Sequence, residues 1–179
     1  MSNRFFIIDF ETTGLDKESR PIEVGIIVTD HEFALLETYQ ALIDWRDEEE
    51  KKGIQDFSVH ERELKAFAVH KIEPIAIAET GRAPTMVRYG IQDLAKKHTV
   101  YGRKPILVSD NVQFEWRHLA NLMEGDMSMF HYCGWDTSLF LESTGVGDPR
   151  GVPHRALADC GRLHKAILEA RYATRGLRP

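Results

Sequence analysis

The sequence predicts a single α/β domain that begins with three antiparallel strands and continues mainly with helices. Apolar runs of strand length, separated by turn residues, fill roughly the first 45 residues. Beyond them, apolar residues recur mostly at helical spacing. The 179 residues contain no repeat, linker or low-complexity tract, and a chain of this length suits one domain.

The three predicted strands follow one another closely. The first opens with the apolar run Phe5–Ile8, which suits a strand covered on both faces. A turn at residues 17–21 leads to a second strand at Ile22–Val28. A turn at residues 30–32 leads to a third at Phe33–Trp45. We expect these strands to form an antiparallel meander.

The rest of the chain is predicted to hold one more strand and several helices. The strand is Pro105–Ser109, with its proline at the edge, where a missing N–H donor does least harm. The charged run Asp44–Lys52 is interpreted as an exposed loop or helix face, and residues 173–179 as a frayed tail. Helices are expected around Val59–Val69, Pro84–His98, Phe114–Met123, Trp135–Ser143 and Arg155–Tyr172.

The composition argues against several classes of protein. A net charge of −5 does not suit a protein that coats long duplexes through its basicity. No apolar stretch approaches the ~20 residues of a membrane span, and the chain does not open like a signal peptide. Cys133 and Cys160 form neither a disulfide framework nor a metal-type spacing, so we expect a reducing, cytoplasmic location.

Two carboxylates end the first predicted strand. Asp9 and Glu11 are two residues apart, so their side chains are expected on the same face. Carboxylates at the end of a buried strand are rare unless they are paired or bind a metal. The pair therefore predicts a cation between the two side chains. Two exposed residues on a half-solvated face are the plainer alternative.

Two further polar segments follow later in the chain. Asp110–Glu115 comes directly after the Pro105–Ser109 strand and opens a helix, where Asp110 or Asn111 could also serve merely as the helix cap. His154 and Asp159 lie where the last helix starts. A lone histidine before a helix is more often structural than catalytic, so each segment is weak when taken singly.

Together, these residues resemble the DEDDh group of 3′–5′ exonucleases, which includes polymerase proofreading subunits, ribonuclease T and oligoribonuclease. Asp9–Leu15 is similar to the first motif of the group, and Asn111–Glu115 lies where the second is found. His154 and Asp159 fit the third motif. Val69–Ile72 is similar to a lesser motif, a short His-x-Ile loop before the middle helices.

The resemblance extends from residue 6 to about residue 167 and implies an RNase H-like fold. Such a fold has a five-stranded mixed sheet, with three antiparallel strands first, flanked by helices. The resemblance further implies metal-dependent release of nucleoside 5′-monophosphates from the 3′ end of single-stranded DNA or RNA. Members of the group often form homodimers, so the resemblance also implies a possible homodimer.

Metal ions also follow from the chemistry of the acidic residues. Crowded carboxylates repel by roughly 3 kcal/mol per pair at ~5 Å. Oxygen ligands favour Mg²⁺ or Mn²⁺, and two such ions can stabilise both oxygens of an in-line phosphoryl displacement. By resemblance, Asp9 bridges two ions, Glu11 and Asp159 complete the first site, and Glu115 serves the second. His154 is expected to take a proton from the attacking water.

The resemblance also implies a set of residues around the terminal nucleotide. Leu15 is expected to act as an apolar wedge against a base. Contacts of this kind do not depend on which base is present. Phe10 fits a plain core position equally well. The implied substrate-binding residues are Phe10, Thr12, Thr13, Gly14, Leu15, His70, Ile72, Asn111 and Phe114.

One position departs from the pattern of the group. The second motif normally offers Asp, whereas this chain has Glu115. Glu115 follows Phe114 as the carboxylate of the group follows its Phe, so we prefer it as the second-motif carboxylate. Asp110 is the alternative. If neither residue served, the chain would be a slow or inactive exonuclease fold that binds nucleic acid or a partner.

Overall fold

A mixed five-stranded sheet forms the centre of the protein. The computed structural model describes residues 3–16, 18–46, 61–145 and 155–174. The sheet has the order β3-β2-β1-β4-β5. β1 pairs antiparallel with β2, and β2 with β3, whereas β4 is parallel to both β1 and β5. The strands are β1 (Phe5–Thr12), β2 (Pro21–Thr29), β3 (Leu35–Leu42), β4 (Ile106–Ser109) and β5 (Trp135–Asp136).

Six helices lie in the described ranges. None of them is long and apolar enough to cross a bilayer. They are α1 (Glu61–His70), α2 (Pro74–Thr80), α3 (Pro84–Lys97), α4 (Val112–Leu122), α5 (Ser138–Ser143) and α6 (Ala156–Thr174). The five-stranded mixed sheet and its opening antiparallel meander confirm the predicted fold class.

Some predicted boundaries were wrong. Trp135–Asp136 is a strand rather than the start of a helix, because it pairs with Val108–Ser109 over two residues, too few for a strand pattern to show. The third strand starts at Leu35, because the Asp30 carboxylate accepts hydrogen bonds from two following backbone N–H groups and holds a turn there. It ends at Leu42 rather than at residue 45.

Other differences concern the helices. Helix α2 was not predicted, and it has no buried residue and therefore no amphipathic pattern; only Pro74 at its first position marks it. Residues 173 and 174 belong to α6 and not to a frayed tail. Several expectations lie outside the described residues: Lys17, residues 47–60, His154 and the tail from residue 175.

β1 is buried on both faces, as its apolar run predicts. Phe6, Ile8 and Phe10 belong to the larger apolar cluster with residues of α3 and α4. Ile7 belongs to a second cluster formed largely with α6. The alternation of side chains along a strand therefore directs Asp9 and Glu11 toward the α6 side.

Helix α6 lies directly against the backbone of β2. Gly25 is the partner of Asp9 in the strand pairing. A Cβ at Gly25 would lie 2.3 Å from the Leu157 nitrogen and 2.4 Å from the Ala156 carbonyl carbon. The Cys160 thiol donates to the Gly25 carbonyl oxygen at 3.3 Å. The first turn of α6 can approach this closely only because residue 25 has no side chain.

The substitution Gly25→Ala is expected to lower the free energy of unfolding by about 2 kcal/mol or more, because α6 must move away from β2. Urea denaturation measures this change. Gly161→Ala is the matched control, since a Cβ there meets nothing within 4 Å. It is expected to stabilise α6 by up to about 1 kcal/mol. Equal stability of the two variants would show that the close approach at Gly25 does not exist.

Candidate active site

Three carboxylates from distant parts of the chain meet at the end of β1. Asp9 and Glu11 come from β1, and Asp159 comes from the first turn of α6. Each offers an oxygen, and these oxygens all lie within 4.8 Å of one another. The geometry brings together three of the four predicted metal ligands, and their hard oxygen atoms suit a divalent cation.

Two members of the cluster, Asp9 and Glu11, have raised pKa values. Burial raises the pKa of Asp9 well above its usual range, and the charges of Glu11, Asp110 and Glu23 add to this effect. Burial likewise raises the pKa of Glu11 to about 7, with a further contribution from Glu23. Such shifts show that negative charge at this position lacks full compensation from the protein.

Two arginines of the same helix end oppose this charge. Arg162 forms an ion pair with the Asp159 carboxylate one turn along α6. Its charge lowers the pKa values of Asp9 and Glu11, and Arg155 also lowers that of Glu11. Because these pKa values remain raised, the two guanidinium groups offset only part of the repulsion. A divalent cation would supply the rest.

Glu115 lies next to the three-carboxylate cluster but not within it. It is in the first turn of α4 and is 3% exposed. The Phe10 N–H donates to its carboxylate, whereas Oε2 is buried without a hydrogen-bond partner among the described residues. Burial raises its pKa well above the usual range, followed by the charges of Asp9 and Asp110. An unpartnered buried oxygen beside Asp9 fits a second cation.

Asp110 remains the alternative to Glu115. It follows β4 directly and is partly exposed. Its charge raises the pKa values of both Asp9 and Glu115. Asn111, the other helix-cap candidate, caps α4 by accepting the Phe114 N–H at 3.4 Å. Both carboxylates therefore lie near Asp9, and Glu115 is the more buried of the two.

Glu23 holds the start of α6 in place through hydrogen bonds. This role was not predicted from the sequence. Its fully buried carboxylate accepts hydrogen bonds from Arg155 Nη2 at 2.6 Å, the Ala156 N–H at 3.0 Å and Gln40 Nε2 at 2.8 Å. Burial would raise the pKa of Glu23, but these bonds outweigh it and lower the value. A lone glutamate within the apolar stretch of the second predicted strand was the signal that could have revealed it.

An apolar cavity of about 580 Å³ adjoins the turn after β1. The Thr12 hydroxyl donates to the Gly14 carbonyl, and Thr13 pairs with Arg20 through backbone and side chain, which fixes this turn. Leu15 is 84% exposed at its mouth. The residues that line the cavity are Thr12, Gly14, Leu15, Asp16, Lys65, Ala66, Val69 and His70.

The other predicted substrate residues have different surroundings. Phe10 is 4% exposed within the apolar core, which agrees with its plain packing alternative. Ile72 is buried and donates its N–H to His70 Nδ1. Phe114 packs edge-on against His118, whose pKa burial lowers to about 4. Among the predicted residues, the cavity lining therefore includes Thr12, Gly14, Leu15 and His70.

The two cysteines of the chain differ in surroundings. Cys160 is buried beside Asp159, and burial raises the pKa of its thiol well above the usual range, with the charges of Asp9 and Glu115 adding to the effect. Cys133 is exposed in the segment between α4 and β5.

Comparison with known families agrees with this geometry. The family model described as Exonuclease (RNase_T) matches residues 6–175. The chain belongs to this exonuclease family. No curated protein matches it. The sheet order and flanking helices of this chain are those of the RNase H-like fold.

Solved structures of exonuclease I share this fold. The zinc-bound complex of the E. coli enzyme with single-stranded DNA has a TM-score of 0.68 at 17% identity, and the match covers 96% of this chain and 41% of that one. Product-bound exonuclease I has a TM-score of 0.66 at 16% identity, with 98% and 45% covered. This chain therefore spans less than half the length of these structures.

The raised pKa of Glu11 predicts how the protein responds to pH when no metal ion is bound. Its value of about 7 in the folded protein exceeds the 4.5 of an ordinary glutamate. Protonation therefore stabilises the fold, fully below pH 4.5, and this contribution is lost as the pH rises through about 7. Thermal melting in a chelator should show stability that falls over this window, by on the order of 2–3 kcal/mol from Glu11.

The variant Glu11→Gln should flatten this fall, whereas Glu142→Gln, an exposed glutamate on α5, should leave it unchanged. Added Mg²⁺ should raise the melting temperature more at pH about 8 than at pH about 5, because cations bind ionised carboxylates. A fall of the same size in Glu11→Gln would contradict the assignment of the effect to Glu11.

Proposed function

We propose that this exonuclease removes nucleoside 5′-monophosphates from the 3′ end of single-stranded nucleic acid, as a DEDDh-type enzyme that depends on two divalent cations. The observation that carries the proposal is the meeting of Asp9, Glu11 and Asp159 within 4.8 Å at the end of β1. The apolar cavity is lined by Thr12, the residue that follows Glu11. The complexes of exonuclease I with single-stranded DNA support a DNA strand as substrate. The proposal includes RNA strands as well.

Carboxylates of this chain suit both proposed cations. Asp9, Glu11 and Asp159 would hold one ion, and Asp9 with Glu115 would hold the other. Oxygen ligands of this kind favour Mg²⁺ or Mn²⁺. When bound, such ions stabilise the charge that develops on the attacking and leaving oxygens of a phosphodiester.

The remaining tasks fall to residues around the cluster. The cavity beside β1 would hold the terminal nucleotide, with the exposed side chain of Leu15 against its base. His154 directly precedes Arg155, whose guanidinium is fixed by Glu23. We assign to His154 the removal of a proton from the attacking water. The bonds of Glu23 to Arg155 and to the Ala156 N–H would then position Asp159.

A catalytically weak binding module is the second candidate function. Two observations favour it: Glu115 stands where the group has Asp, and Arg162 pairs with the Asp159 carboxylate. A guanidinium at that position competes with a metal cation for the same oxygens. Such a module would bind single-stranded nucleic acid without cleaving it.

The exonuclease is expected to shorten a 5′-labelled linear single strand stepwise from its 3′ end in the presence of Mg²⁺ or Mn²⁺. A chelator should stop the reaction, and Asp9→Asn should slow it by at least about 100-fold. Asp93→Asn, on the exposed face of α3, is the matched control. Matched ribo- and deoxyribo-oligomers compare the two substrates. A labelled strand of unchanged length would favour the binding module. Cleavage of a circular single strand would show an endonuclease.

The choice between Glu115 and Asp110 is testable through metal affinity. Glu115→Gln is expected to weaken Mn²⁺ binding and slow hydrolysis by about 10-fold or more, because it replaces a buried carboxylate ligand beside Asp9 with a neutral amide. Asp110→Asn is expected to change both by less. Calorimetric Mn²⁺ titration and the same strand-shortening assay measure the two effects. If only Asp110→Asn lowered both, Asp110 would be the second-motif carboxylate.

A further inference from the structure

A second cavity, of about 710 Å³, lies away from the carboxylate cluster. Its rim includes Asn3, two residues before β1, and Ile106, the first residue of β4. These residues are at the opposite end of β1 from Asp9 and Glu11. The distance along β1 from Phe5 to Glu11 is roughly 20 Å. We call this cavity the basic-aromatic pocket.

The lining of the basic-aromatic pocket combines rings and cations. Phe130 and Trp116 contribute aromatic surface that is continuous with the apolar core. His131 and Tyr132 stack on each other with ring centroids 4.6 Å apart, and Tyr132 is 83% exposed. A flat apolar group could add to this stack.

Positive charge is concentrated at the same rim. Arg103 and Lys104 line the pocket, and the lining that the structure describes contains no acidic residue. Asn3 Oδ1 accepts a hydrogen bond from the Arg103 guanidinium. The nearby carboxylate of Asp126 is bonded to Ser128, and the charge of Lys104 contributes to its lowered pKa. In a chain with a net charge of −5, this local excess of cations suits an anionic ligand.

A strained turn places one more exposed ring beside the pocket. Tyr101 and Gly102 form the tip of a hairpin turn, both with positive φ, at 51° and 74°. Tyr101 is 88% exposed. This turn type favours Asn or Gly at its first central position, and a bulky residue there costs stability. An exposed tyrosine is therefore better explained by a contact than by the fold.

We propose that the basic-aromatic pocket binds the body of a single-stranded nucleic acid, about six nucleotides from the 3′ end in the active site. Bases would stack on Tyr132 and His131, and phosphates would contact Arg103 and Lys104. Aromatic surfaces with neighbouring cations recognise single strands without regard to sequence. The count takes the straight length of β1, roughly 20 Å, and the ~3.4 Å per nucleotide of a stacked strand. The identity of the 3′ end rests on the proposed function, but binding at the pocket does not.

Trp116 connects the two sites. It lines the basic-aromatic pocket and directly follows Glu115 in α4. Helix α4 therefore contributes a residue to each of the two sites. The arrangement predicts that affinity increases with strand length up to the pocket and that this increase depends on its rings and cations.

The test uses the full chain in a chelator, so that the result does not depend on hydrolysis. Fluorescence anisotropy measures the binding of labelled oligothymidylates of three and twelve nucleotides. Tyr132→Ala is expected to weaken binding of the longer strand by about tenfold. Arg103→Gln with Lys104→Gln is expected to reduce the slope of log K against log salt by about 1.4.

Matched controls lie on the exposed face of α3. Tyr89→Ala and Lys96→Gln replace an exposed tyrosine and an exposed lysine outside the pocket and should leave binding unchanged. The proposal is overturned if the pocket variants bind both strands like the parent protein. It is also overturned if they lose binding of a labelled acidic decapeptide but retain that of the strand. If the parent protein binds the strand in the chelator but does not shorten it when Mg²⁺ is supplied, the result counts against the proposed function alone.

Discussion

The close contact between the first turn of α6 and the backbone of β2 sets the position of the carboxylate cluster. Gly25 permits the approach, because any Cβ there would overlap the helix backbone. Glu23, two residues earlier on the same face, bonds the Ala156 N–H and the Arg155 side chain. Asp159 is thereby placed opposite Asp9 by backbone geometry and hydrogen bonds, in addition to the apolar packing of α6.

The same contact creates an electrostatic conflict. Four acidic residues of the two strands and the helix lie within one partly buried region, and the charge of Glu23 raises the pKa values of Asp9 and Glu11. The charge of Glu23 is compensated within the protein by hydrogen bonds from Arg155, Ala156 and Gln40. The protein leaves the charges of Asp9 and Glu11 incompletely compensated, which distinguishes a structural carboxylate from those available to a cation.

The sequence predicted those parts of the structure that follow from periodicity and local chemistry. The apolar run of β1 and the two-residue spacing of Asp9 and Glu11 gave the strand, its burial and the shared face. The fifth strand could not be located, because two residues at 135–136 show no alternation. Helix α2 was missed, because it buries nothing. The role of Gly25 depends on a contact with residue 157, far along the chain, that no local pattern encodes.

The difference in exposure between the two cysteines allows one of them to be labelled selectively. Thiolate is the reactive form of cysteine, so the raised pKa and burial of Cys160 make it inert toward alkylating reagents. Cys133 is exposed, adjoins Tyr132 in sequence, and is the only other thiol of the chain. A maleimide dye would therefore attach at a single point without engineering. Cys133 follows the stacked rings of His131 and Tyr132 in the chain. Ligand binding at these rings would therefore change the fluorescence of the attached dye.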